Sequence, residues 1–283
     1  MSGSLVIAVA QPNALVGEAV RMDGDDVIWV DPPNRRLLRL CVADGVLREV
    51  ALSVPLWSLA QRPDGSWVGA GEEAFCAIDV HTGEISTGEP APLRPGCRLN
   101  DMVVDAQGGM WAGSMHRGLL GGKGALYYAV DVGAPVVQVA DGLGVANGMA
   151  FVDDGTSLLV VDTLGRTLLS YPRPGRDLTL AEPVVVTDFL DVPGKPDGMA
   201  IGPGGAVWVA MWGGACIVRL AANGAVEERV TMPAPHVGSL CFDRHGDAYV
   251  SSSRARLTEA MLRTNPDSGA LFRVILRRQS REA

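Results

Sequence analysis

The sequence predicts an all-β fold, a six-bladed β-propeller occupying residues 1–283 as one domain. Three observations point there. A short apolar strand pattern recurs six times at roughly 40 to 50 residues, the period of a four-stranded blade. A Gly- or Asp-rich turn precedes each copy, which fits a chain with 35 glycines. Amphipathic helical periodicity is missing between copies, which argues against a parallel α/β fold.

The copies run in order. Val27-Ile28-Trp29-Val30 follows Asp23-Gly24-Asp25, and Gly65-Ser66-Trp67-Val68 follows Pro63-Asp64. Gly109-Met110-Trp111-Ala112 follows Gln107-Gly108. Leu158-Leu159-Val160-Val161 follows a longer turn at Asp153-Asp154-Gly155. Ala206-Val207-Trp208-Val209 follows Pro203-Gly204-Gly205, and Asp247-Ala248-Tyr249-Val250 follows His245-Gly246. A second apolar strand comes after each copy, such as 36–40 or 216–220. Residues 50–54 and 183–186 are also strand-like. Residues 258–263 suggest one helical turn.

Net charge is −8, and no run of Lys and Arg offers a footprint for a phosphate backbone. Nucleic acid is therefore not an expected partner; Arg277-Arg278 reads as a solvated tail. The N-terminus lacks a basic stretch before the short apolar run 5–10, and no apolar run reaches the length of a membrane span. The expectation is a cytoplasmic protein, a monomer or small homo-oligomer, with no membrane partner. Cys41, Cys76, Cys97, Cys216 and Cys241 are scattered in an odd count, so they read as buried inert thiols.

The repeat also locates a site. Stepping back roughly eleven residues from each strand anchor reaches Glu18, Leu56, Asn100, Asn147, Asp197 and Gly238. In a propeller these equivalent positions lie on the innermost strands, at one height around the channel. Four of them bear oxygen donors where a core would be apolar. Converging polar groups need a partner, and a cation relieves the repulsion of two close carboxylates. Glu18, Asn147 and Asp197 are the expected metal ligands, and all-oxygen donors suit a hard divalent ion. Asn100 reads as a ligand or as a contact for substrate or bound water. Taken singly, Asn147 and Asp197 also read as Asn-Gly and Asp-Gly turn residues, and Glu18 as a surface acid.

At these residues the chain resembles the senescence marker protein / gluconolactonase / luciferin-regenerating enzyme family. The matching stretches are Gly17-Glu18, Arg98-Leu99-Asn100-Asp101, Trp111-Ala112-Gly113-Ser114-Met115, Asn147-Gly148-Met149 and Pro196-Asp197-Gly198-Met199. Trp212-Gly213-Gly214 and His236-Val237-Gly238-Ser239 resemble the bacterial members. The resemblance implies a propeller with one divalent ion in its channel: Ca²⁺ first, with Zn²⁺, Mn²⁺ or Mg²⁺ as alternatives. It implies Glu18, Asn147 and Asp197 as ligands, Asp197 also as general base, and Arg98 and Asn100 facing substrate. His116 and Trp212 are further expected substrate contacts, while His236 reads as a structural hydrogen-bonder. The sequence departs from the family at Ala19-Val20-Arg21, where Gly-Pro-x-Trp is usual, and in the short segment after Met115.

The expected activity is hydrolysis of a small, sugar-lactone-like ring to its hydroxy acid. The ion would polarise the carbonyl and Asp197 would take a proton from the attacking water. The alternatives are a related hydrolase of another ester, phosphoester or biosynthetic intermediate, and a non-enzymatic, metal-stabilised ligand binder.

Overall fold

In a computed structural model the chain forms six four-stranded antiparallel sheets, and residues 3–172, 178 and 180–276 are described. The Arg277-Arg278 pair lies outside the described residues. The inner strands are Glu18–Asp23, Ser58–Gln61, Cys97–Val104, Ala146–Val152, Lys195–Ile201 and Val237–Phe242. Each touches the inner strand of the next blade, and the last touches the first, so the ring closes. The expected six-bladed propeller is the observed fold.

The ring is sealed by the N-terminus. Leu5–Ala10 pairs with Leu271–Ile275 and completes blade six as its outer strand. One blade is thus built from both chain ends, which ties the circle without a covalent link.

The aromatic anchors are interior. Trp29, Trp111, Trp208 and Tyr249 are almost wholly buried between blades, where large rings fill the wedge between twisted sheets. The longer turn of blade four is a short 3-10 segment, Asp153–Gly155, with all three residues at positive φ. The expected helical turn is Glu259–Thr264, capped by Thr258, whose hydroxyl accepts the Met261 amide at 3.3 Å. Among the described residues no helix is long and apolar enough to cross a membrane. All five cysteines are free, and burial pushes the Cys76 and Cys241 thiols up to about 12, which keeps them protonated.

Candidate active site

The polar register coincides with a repeated irregularity of the inner strands. In five blades this strand holds one extra residue against its neighbour. The three-residue steps Glu18 to Arg21, Leu99 to Met102, Ala146 to Met149, Pro196 to Met199 and Val237 to Leu240 each face a two-residue step. Such a bulge bends the strand and re-aims a side chain. Asn100, Asn147 and Asp197 lie inside three of the bulges, and Glu18 is the last paired residue before a fourth. In blade two the ladder is regular from Ser58 to Gln61, and Leu56 precedes it, fully buried.

Glycine allows these bulged strands to meet. A Cβ on Gly148 would lie 2.4 Å from the Met199 nitrogen and 2.8 Å from the Asp197 carbonyl oxygen. On Gly198 it would lie 2.5 Å from the Gly238 oxygen. Neither glycine has a positive φ. Asn147-Gly148 and Asp197-Gly198 are therefore not turn dipeptides. They are points of close strand approach inside the ring, and that approach brings Asn147 and Asp197 together.

Asn147 Nδ2 donates to Asp197 Oδ1 and, at 3.2 Å, to Thr163 Oγ1. Glu18 and Asp197 both have proton affinities well above the ordinary carboxylate range. For Glu18 the cause is burial first, then the charges of Asp197 and Asp101. For Asp197 it is burial, then Asp101, opposed by the Asn147 hydrogen bond and by Arg98. Arg98 itself is pulled down to about 9 by burial, with Glu18 opposing, and stays cationic at neutral pH. Its guanidinium donates to the Leu99 carbonyl at 2.7 Å and to Asn100 Oδ1 at 2.9 Å. The guanidinium carbon sits 3.2 Å from the centre of a Trp57 ring. Asn100 is fixed in turn by donating to the Ala146 carbonyl at 3.0 Å.

The donor set fits a hard cation. Other buried acids here are satisfied by backbone N–H groups: Asp31 accepts from Leu15 and Val16, and Asp162 from Gly144, Val145, Leu164 and Gly165. Glu18 has no such partner among the described residues, and its carboxylate shares a buried space with Asp197. Two mutually repelling carboxylates beside a carboxamide are the environment that a divalent ion stabilises. The set contains only two charged donors. Among the described residues no group of three or more His, Cys, Asp or Glu is arranged to hold a metal.

A cavity of about 690 Å³ opens above this floor. Glu18, Arg98, Asn100, Asn147, Asp197 and Trp212 all line it. His116, expected as a substrate contact, is not among the lining residues. It ends the second strand of blade three opposite Cys97, and its ring packs between Gly96 and Gly118. Its Nδ1 accepts the Gly118 amide at 3.0 Å. His116 thus holds the loop whose next residues, Arg117 and Leu119, face the cavity.

Trp212 stacks on His236 with ring centres 4.5 Å apart and planes 10° from parallel. His236 Nδ1 lies 2.9 Å from the Ala255 carbonyl oxygen, a bond that holds the ring against the tryptophan. Trp57 was not singled out by the sequence. It adjoins Leu56, and the repeat register passes one residue short of it.

The SMP-30/Gluconolactonase/LRE-like region matches residues 16–254. An L-arabinolactonase of Azospirillum brasilense is 29% identical over 256 residues, 86% of this chain and 82% of that protein. A 6-deoxy-6-sulfogluconolactonase of Pseudomonas putida is 28% identical over 282 residues, 96% and 94% of the two chains. The crystal structure of a calcium-binding protein, regucalcin, from Agrobacterium tumefaciens superposes with a TM-score of 0.85 at 25% identity, covering 95% of this chain and 94% of that one. The chain belongs to the SMP-30/gluconolactonase/LRE-like family.

Proposed function

We propose that the cavity hydrolyses a small, sugar-lactone-like ring to its hydroxy acid. The observation that carries this reading is the pair of cavity-facing carboxylates, Glu18 and Asp197, set beside the Arg98 guanidinium. The lactonase names of two relatives support the substrate class. Glu18, Asn147 and Asp197 would hold one divalent ion, with Ca²⁺ first in order and Zn²⁺, Mn²⁺ or Mg²⁺ as alternatives. When bound, the ion supplies Lewis-acid polarisation and a counter-charge for a developing oxyanion.

The chain's own groups divide the remaining work. Asp197 takes a proton from the attacking water as the water oxygen bonds to the ester carbon. The ring C–O bond then breaks, and the ring oxygen leaves as a hydroxyl by receiving the proton. Arg98 and Asn100 are fixed to one another at 2.9 Å, so they present donors in a set orientation to the ring oxygens. Trp57 and Trp212 give the cavity flat apolar walls.

The test is a panel of five- and six-membered sugar lactones, assayed after exhaustive chelation and after readdition of each metal. Chelation should abolish hydrolysis, and the metals should restore it to differing extents. Full activity in a preparation shown to be metal-free would exclude the metal-dependent reading. Tight metal binding with no lactone turned over would favour a ligand-binding propeller.

A further inference from the structure

The cavity is electropositive in an acidic protein. Arg98, Arg117, Arg166, Lys195 and Arg256 line it, against the two carboxylates Glu18 and Asp197. The chain as a whole carries 32 acidic and 24 basic residues, so this wall runs against the composition. The five cations come from four blades and from distant points of the chain. No local run of basic residues announces them.

Most of these charges are not neutralised by neighbours. Arg166 donates to the carbonyl oxygens of Phe189, Val192 and Gly194, which satisfies its N–H groups but leaves its charge. Arg117 pairs with Glu72 at 3.0 and 3.3 Å in an exposed setting. Lys195 and Arg256 are exposed and face no carboxylate within ion-pair distance among the described residues. A lactone's ring opening creates one carboxylate, at the reacting carbon beside Arg98 and Asn100. The cations elsewhere on the wall are not required for it.

We propose that the substrate carries an anionic group of its own, a carboxylate or a phosphoryl group away from the reacting ester, received by Lys195 and Arg256. The proposal rests on the lactonase reading of the same cavity and narrows it to charged lactones. An electropositive cavity raises the local concentration of anions and loses this advantage as salt screens it.

The experiment separates the two readings. Sorbitol, gluconate and sorbitol 6-phosphate are titrated calorimetrically into the metal-loaded protein, at low salt and at about 0.5 M salt. One or both anions should bind about fivefold to tenfold more tightly than sorbitol at low salt, and the advantage should shrink at high salt. A gluconate advantage alone assigns a carboxylate, and a sorbitol 6-phosphate advantage alone assigns a phosphoryl group. The Lys195→Gln/Arg256→Gln double variant should lose most of that advantage with an unchanged thermal midpoint. An advantage that persists in the double variant would place the anion on the metal or on Arg98 and overturn the proposal. In parallel, neutral and phosphorylated aldonolactones are compared by kcat/KM. Hydrolysis of the neutral lactone with equal binding of all three probes overturns the anionic substrate and leaves the lactonase reading standing. Anion preference with no lactone hydrolysed overturns the lactonase reading and retains the anion site.

Discussion

Blades two and five each set an inner strand between the inner strands of two neighbouring blades but build it differently. In blade five the strand bulges between Pro196 and Met199, and Asp197 in that bulge reaches the cavity. In blade two the ladder is regular from Ser58 to Gln61; Leu56, which the sequence repeat aligns with Asp197, is wholly buried, and the next residue, Trp57, is the one that lines the cavity. Leu56 packs with Ala19, Val30, Leu59 and Cys76, across the seam between blades one and two. The difference teaches that the repeat supplies position and the bulge supplies direction. Asn100, Asn147 and Asp197 reach the cavity from inside a bulge, and Glu18 from the edge of one. Blade two gives up that option and contributes an apolar wedge.

The largest effect expected from breaking this contrast lies in blade five. Asn at position 197 keeps one ligand oxygen but is not basic at neutral pH. If Asp197 serves as both ligand and base, Asp197→Asn should lower kcat about 10²- to 10⁴-fold even when metal is saturating. Recovery to within a few-fold of wild type at proven metal occupancy would leave it a ligand only. The same substitution has an opposite expected effect on the metal-free fold. Both carboxylates bind protons more tightly when folded than when unfolded, so their ionisation destabilises the native state as pH rises above the ordinary carboxylate range. Removing one charge relieves the other. The chelated Asp197→Asn protein should therefore melt higher than chelated wild type at pH 7, and an unchanged or lower midpoint would count against the repulsion.

The next effect is placed in blade two. Leu56→Asn puts a carboxamide at the position that the sequence repeat aligns with Asn147, one residue before the cavity-lining Trp57. Without a bulge it should stay buried and unpaired, losing on the order of 3–5 kcal/mol of stability from lost apolar burial and an unsatisfied amide. Metal affinity, read by titration, should not rise. A tighter metal site in this variant would show that the repeat position alone suffices, and would break the comparison.

These contrasts also mark what the sequence discloses. The blade period was readable because each copy carries its own apolar strand, aromatic anchor and turn, all of them local signals. Glu18, Asn100, Asn147 and Asp197 shared a register, and the fold brings all four to one cavity. The closure of blade six was not readable, since Leu5 pairs with Ile275 and nothing local in 5–10 specifies a partner so distant. Loop geometry was equally silent. His116 and Arg117 are neighbours in the chain, yet strand pairing turns one against Gly96 while the other lines the cavity. The cationic wall is illegible in the sequence for a related reason: its members are scattered through the chain and meet only when the ring closes.

The smallest effect sharpens the comparison within blade one. Ala19 follows Glu18 and has φ of 52°, a left-handed conformation that costs an L-residue roughly 1–2 kcal/mol. Its methyl is buried beside Leu56, in the apolar cluster that joins blades one and two. Ala19→Gly would relieve the backbone strain. It would also forfeit about 0.8 kcal/mol of methyl burial and add about 0.5–1 kcal/mol of unfolded-chain entropy. These terms oppose one another, so unfolding free energy should move by less than about 1 kcal/mol in either direction. The informative readout is then metal affinity. If the bulge is held by backbone pairing and by the Val20 amide donating to Ser239 Oγ at 3.0 Å, Glu18 keeps its direction and affinity stays within a few-fold of wild type. A loss of tenfold or more with stability unchanged would show that the Ala19 methyl, wedged against blade two, aims Glu18. Blade two would then act on the site through packing, although it offers no ligand.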